Sequence, residues 1–178
     1  IQPELEIKLS SEVSGEIIEL PVKEGQMVKK GDLLVSINQD IYQSIVKRSA
    51  ASLETVRASL QQAEATLKEA EESYKRNKVL FEKGVISKSD WDKATSAYEV
   101  AKASRESAHF NVQSAMASVS EAQDNLKKTL IYSPATGTIS KLNVELGERV
   151  VGTIQMTGTE IMRVANLNNM EVEVDVNE

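Results

Sequence analysis

Apolar and polar residues follow two different rhythms along this chain. From Leu5 to Ile37 they alternate in short runs, "EIKL", "GEIIELPV" and "DLLVSI", separated by turn signals at Gly25 and Gly31. Short β-branched runs punctuated by Gly predict strands joined by tight turns. From Gln39 to Lys128 the rhythm changes. Pro is absent, Gly occurs only at Gly84, and Ala, Glu, Lys, Gln, Ser and Leu dominate. On the first arm Val46, Leu53, Leu60, Leu67, Tyr74 and Phe81 recur every seventh residue, offset from Ser49, Val56, Ala63, Ala70 and Asn77. On the second, Ala94, Ala101, Ala108, Ala115 and Ala122 interleave with Trp91, Tyr98, Arg105, Val112, Val119 and Leu126. Sustained heptads predict a coiled coil. The break at "FEKGVISKSDWD" supplies Gly84 for a helix end and Ser87 or Ser89 as the next cap, with Asp90 or Asp92 three residues on. A single short connection makes the two helices antiparallel neighbours. Large residues on one arm are then expected to face Ala on the other, with Arg105 snorkelling at the edge or marking a drift of register.

Strand patterning resumes after Lys128, with Pro134 expected to mark the exit from helix to strand. Here the skeleton of Ser14–Val28 returns as Thr136–Val150. Gly15 pairs with Gly137, Ile17 with Ile139, Leu20 with Leu142, Val22 with Val144, Gly25 with Gly147 and Val28 with Val150, all at an offset of 122. Each copy is too short to bury a core alone. The repeat therefore predicts one β-sandwich split by an inserted helical hairpin that would project from it. The alternating segment from Met170 to Val176 reads as the first strand of a further β domain.

Composition narrows the function classes. The formal net charge of −6 lacks the basic footprint of a nucleic-acid binder. There is no Cys, so disulfides and thiolate-held metals are excluded. The single His, His109, is expected to face solvent and offers neither a metal site nor a triad. The five Met residues are scattered, and no phosphate-binding GxxxxGK[ST] loop occurs. The chain does not begin with Met and reads as an excerpt of a longer protein.

The two halves, "GEIIELPVKEGQMVKKGDLLVSI" and "SPATGTISKLNVELGERV", resemble a lipoyl/biotinyl-type domain. Carriers of that fold hold a modified Lys between the halves. Here that place reads "INQDIYQ", with no Lys. The arrangement is similar to the bacterial periplasmic adaptors, or HlyD-like membrane fusion proteins, of tripartite efflux and type I secretion systems. In that family an Arg, a Leu four residues on and a Ser seven further contact an outer-membrane channel of the TolC type; Arg76, Leu80 and Ser87 stand at those spacings. Ser87 has a second reading as a helix cap, and Leu80 lies one residue off the seam.

The resemblance implies an α+β fold. Its parts are lipoyl-like halves at 1–38 and 129–166, a coiled-coil hairpin at 39–128 with its tip at about 81–89, and a truncated β-barrel beginning at 167–178. It implies a non-enzymatic adaptor without cofactor or metal, in the periplasm and anchored to the inner membrane through parts not in this chain. The expected partners are the channel at the tip, an inner-membrane transporter of the ABC or resistance-nodulation-division class, and further copies in a ring of six. The segment from Val150 onward looks more like the ABC-type, macrolide-exporter adaptors. Two readings stay beside this one: a lipoate or biotin carrier domain, and a structural coiled coil without a channel partner.

Overall fold

The computed structural model describes residues 2–3, 6–152, 158–165 and 170–171. The chain divides into two compact units. One comprises residues 1–43 and 123–178, the other residues 44–122.

The first unit is a β-sandwich. Its strands are β1 (Gln2–Pro3), β2 (Glu6–Ser10), β3 (Gly15–Glu19), β4 (Met27–Val28), β5 (Leu33–Ile37), β6 (Leu130–Tyr132), β7 (Gly137–Leu142), β8 (Arg149–Val150), β9 (Glu160–Ala165) and β10 (Met170–Glu171). One sheet runs β2-β9-β7-β4 and the other β6-β5-β3-β8, so each takes strands from both halves of the chain. The short pair β1-β10 stands apart. Of the β-barrel expected at 167–178, only β10 is described; the rest of that expectation lies outside the described residues.

The repeat is a near-twofold in the backbone. Gly15 pairs with Val150, and Gly137 with Val28. Gly25 N donates to Ile139 O at 2.9 Å, and Gly147 N to Ile17 O at 2.9 Å. Ile139 N donates to Gln26 O at 3.0 Å, and Ile17 N to Glu148 O at 2.9 Å. The turn side chains repeat too: Lys23 N bonds Gln26 Oε1 and Glu145 N bonds Glu148 Oε2. Lys30 N donates to Thr136 Oγ1 and Gly152 N to Ser14 Oγ. Each copy therefore satisfies the other's backbone, which is why neither half is a closed structure alone.

The core follows the same symmetry. Ile17, Ile139, Val22, Val144, Val28 and Val150 are all buried, joined by Leu34, Val35, Ile37, Ile161, Met162 and Val164. Two buried polar residues, Ser11 and Ser133, sit at the same offset and donate to the carbonyls of Val13 and Ala135. These bonds remove the cost of burying a hydroxyl.

Gly158 sits where two backbones touch. A Cβ there would lie 1.9 Å from the Ser11 carbonyl oxygen. Main chain cannot yield as a flexible side chain does. Gly158→Ala is therefore expected to destabilise the sandwich by roughly 1–3 kcal/mol, as other overpacking does. Urea unfolding at wild-type midpoint would show that these segments part freely.

The second unit belongs to two helices, α1 (Asp40–Glu82) and α2 (Lys88–Lys127). At about 1.5 Å per residue each spans on the order of 60 Å. Every heptad position from Val46 to Asn77 on α1, and from Trp91 to Leu126 on α2, is buried or half-buried. Leu53, Ala101, Val112 and Ala122 are the most enclosed.

The ring contacts fix the level of one arm against the other. Phe81 stacks on Trp91, and Tyr74 on Tyr98. The residue numbers of each pair sum to 172, so large residues meet large ones there. At the tip this corrects the expectation that large residues face Ala. Arg105 snorkels: its Nη2 lies 3.6 Å from Glu64 Oε1 on the other arm.

Two smaller expectations change. The helix does not give way at Pro134, which follows β6. It ends at Lys127, and just beyond it the Thr129 hydroxyl donates back to Leu126 O at 2.6 Å. His109 is half-buried rather than solvent-facing.

Candidate functional site

The connection between α1 and α2 closes its own backbone. Gly84 has φ of +70°, a conformation that costs an L side chain roughly 1–2 kcal/mol. It lets Gly84 N donate to Phe81 O and Val85 N to Leu80 O, both at 2.9 Å. This is the Schellman pattern, which satisfies the last carbonyls of a helix.

Ser87 opens α2. Its Oγ accepts from Asp90 N at 3.2 Å and donates to Asp90 Oδ2 at 2.7 Å, while Trp91 N donates to Ser87 O at 3.1 Å. Of the two caps the sequence allowed, Ser87 with Asp90 is the one formed. Ser87→Ala should cost the hairpin about 0.5–2 kcal/mol in thermal unfolding. An unchanged melting curve would show the cap to be idle.

Several side chains of this turn face outward. Arg76 and Leu80 lie one helical turn apart on α1, on one flank of the seam. Leu80 is 38% exposed. Arg76 is exposed and makes no ion pair or hydrogen bond among the described residues. Its neighbour behaves differently. Lys75 is held by Glu71 at 2.8 Å, whose hydrogen bond and charge raise the ammonium above its ordinary pKa. Ser87 keeps its side chain exposed but uses both its donor and one acceptor on Asp90.

Sequence reasoning missed part of this surface. Val79, Phe81 and Val85 are also exposed, Val85 at 67%. The signal was the run "VLF" at 79–81, because three consecutive apolar residues cannot all face one narrow seam. Exposed apolar side chains stand here among charged ones, an arrangement that suits a contact with another protein. Among the described residues no group of His, Cys, Asp and Glu could hold a metal ion. No described helix is long and apolar enough to cross a membrane.

The segment where a carrier would place its modified Lys runs straight from β5 into α1. Asn38 Oδ1 accepts from Asp40 N at 2.9 Å there. No Lys stands between Ile37 and Gln43.

Comparison with known proteins agrees with this architecture. The family described as RND MFP, barrel-sandwich hybrid domain (MFP for membrane fusion protein) matches residues 6–159. The macrolide export protein MacA of Escherichia coli O157:H7 is 30% identical over 172 residues, covering 97% of this chain and 46% of that protein. The nodulation protein NolF of Rhizobium meliloti is 32% identical over 168 residues, 94% of this chain and 41% of that one. The crystal structure of MacA from Actinobacillus actinomycetemcomitans matches with a TM-score of 0.86 at 30% identity, covering 93% of this chain and 51% of the other. The chain thus spans about half the length of the relatives it matches. With a sandwich built from two reciprocal halves and a helical hairpin inserted between them in the chain, this protein belongs to the membrane fusion protein family, the periplasmic adaptors, and is similar within it to macrolide export proteins.

Proposed function

We propose that this chain is the lipoyl-like and hairpin section of an adaptor that bridges an inner-membrane transporter and an outer-membrane channel in a tripartite efflux or secretion pump. In this reading residues 1–38 and 129–166 form the sandwich, residues 39–128 the hairpin, and residues 167–178 begin a β-barrel. The protein works in the periplasm, anchored to the inner membrane, and does no chemistry. Several copies form a ring, six by family resemblance. The hairpin tip, through Arg76, Leu80 and Ser87, docks on a channel of the TolC type. The transporter is of the ABC class, in keeping with the likeness to macrolide export proteins.

One observation carries this reading. The tip turn is held by the two main-chain bonds after α1 and the Ser87 cap, yet it leaves Leu80 exposed and Arg76 without a partner among the described residues. Leu80 and Arg76 lie side by side, with Val79, Phe81 and Val85 exposed around them, so the tip presents apolar side chains and one guanidinium together. A partner with an apolar notch and a carboxylate or carbonyl would use both.

The whole protein, tagged and solubilised from membranes of its host, is expected to co-purify with an outer-membrane channel and an inner-membrane transporter. Replacing residues 79–86 by a Gly-Ser loop should remove the channel and keep the transporter. Retention of both, or recovery of neither from wild type, would contradict the adaptor reading.

A further inference from the structure

Seven aromatic residues occur in the whole chain, and four of them meet at the hairpin tip. Phe81 and Trp91 stack with centroids 5.7 Å apart and planes 10° apart. Trp91 also contacts Tyr74 at 5.0 Å, and Tyr74 stacks on Tyr98 at 5.0 Å. The rings alternate between the arms, so the stack crosses from α1 to α2 and back. Below it the seam is mainly aliphatic and small, with Leu60, Leu67, Ala101 and Ala108.

This placement matters because helix ends open first. The end of a hairpin at its loop has seam on one side only. The stack holds the stretch of α1 from Tyr74 to Phe81, and Arg76 and Leu80 lie inside that stretch. Trp91 touches both α1 rings and, through its backbone N–H, the carbonyl of the capping Ser87. A docking surface on a fraying end would have to be ordered at the moment of binding, which weakens the complex.

We propose that Phe81, Trp91, Tyr74 and Tyr98 form an aromatic clasp that preorganises the tip for its partner, with Trp91 as the central positioning residue. This rests on the docking reading above. Phe81 is itself 38% exposed and edges the docking surface, while the half-buried Trp91, Tyr74 and Tyr98 lie behind it and set the direction in which Arg76 and Leu80 point.

The test uses the whole protein with a photocrosslinking amino acid at Val85, in three backgrounds: Trp91→Ala, Trp91→Phe and Leu80→Asp. Two quantities are read: amide hydrogen exchange at residues 76–86 against residues 50–65, and adducts with the outer-membrane channel in cells. Trp91→Ala should speed exchange at the tip by roughly tenfold or more, as expected for losing two ring contacts. Exchange at residues 50–65 should stay unchanged, and adducts should fall below those of the otherwise unchanged protein. Trp91→Phe should restore most of both. Unchanged exchange in Trp91→Ala would overturn the clasp. Faster exchange with undiminished adducts, while Leu80→Asp abolishes them, would make the stack merely structural and overturn the positioning role. Normal adducts in Leu80→Asp would instead overturn the docking reading, and the positioning role with it.

Discussion

Under the adaptor proposal, Arg76→Asp combined with Leu80→Asp is expected to abolish export by the whole protein while leaving its fold intact. The local arithmetic is moderate. Leu80 is 38% exposed, so burying what remains against a partner is worth roughly 0.6–1.2 kcal/mol. A charge-assisted hydrogen bond from a guanidinium adds about 1.5–3 kcal/mol. The proposed ring would present these contacts several times over, so the loss would compound through avidity. The fold should not notice. Leu80 is already 38% exposed, Arg76 has no partner to lose among the described residues, and the turn is held by main-chain bonds. Helical circular dichroism and thermal melting check the second half of this statement, and export in cells the first. Full export by the double variant would remove the tip from the mechanism.

Ile17→Ala and Ile139→Ala are each expected to unfold both halves of the sandwich together. Both side chains are 1% exposed and lie in the same core. A truncation of this kind costs about 2–5 kcal/mol, a large share of the roughly 5–15 kcal/mol that holds a domain together. The coupling comes from the pairing: the carbonyl of Ile17 accepts from Gly147, and that of Ile139 from Gly25. Loss of one half leaves the other's backbone unpaired. Hydrogen exchange on each variant would separate the outcomes. Protection surviving in β7 and β8 after Ile17→Ala would show that the halves are independent.

How far the sequence reached depends on what sets each feature. The helices were legible nearly to the residue, because a seven-residue apolar repeat has one physical meaning and Gly84 and Ser87 mark the turn chemically. The repeat at offset 122 pointed to paired half-sandwiches for a similar reason: Gly and β-branched residues at matched places impose matched backbones.

What the repeat could not say is which strand lies beside which. That is decided through space by hydrogen bonds such as Gly15–Val150 and Val28–Gly137, and local patterns carry no trace of it. The level of one helix against the other escaped for a related cause. Heptads define a stripe on each arm, but only the geometry of residues 83–87 sets which large residue meets which. Phe81 therefore lies on Trp91 rather than on an Ala. The site was the least legible part. Nothing local requires Arg76 to be exposed or unpaired, and the three residues were singled out by their spacing in a related family.

The most direct test of the adaptor account is a photocrosslinking scan of the whole protein in its host. The probe is placed in turn at Leu80 and Val85 on the tip, and at Ser59 and Asn111 on exposed faces midway along the hairpin. The account predicts adducts with an outer-membrane channel from positions 80 and 85, and none with that channel from 59 and 111. Channel adducts that are absent from the tip, or equally strong from mid-hairpin, would contradict it.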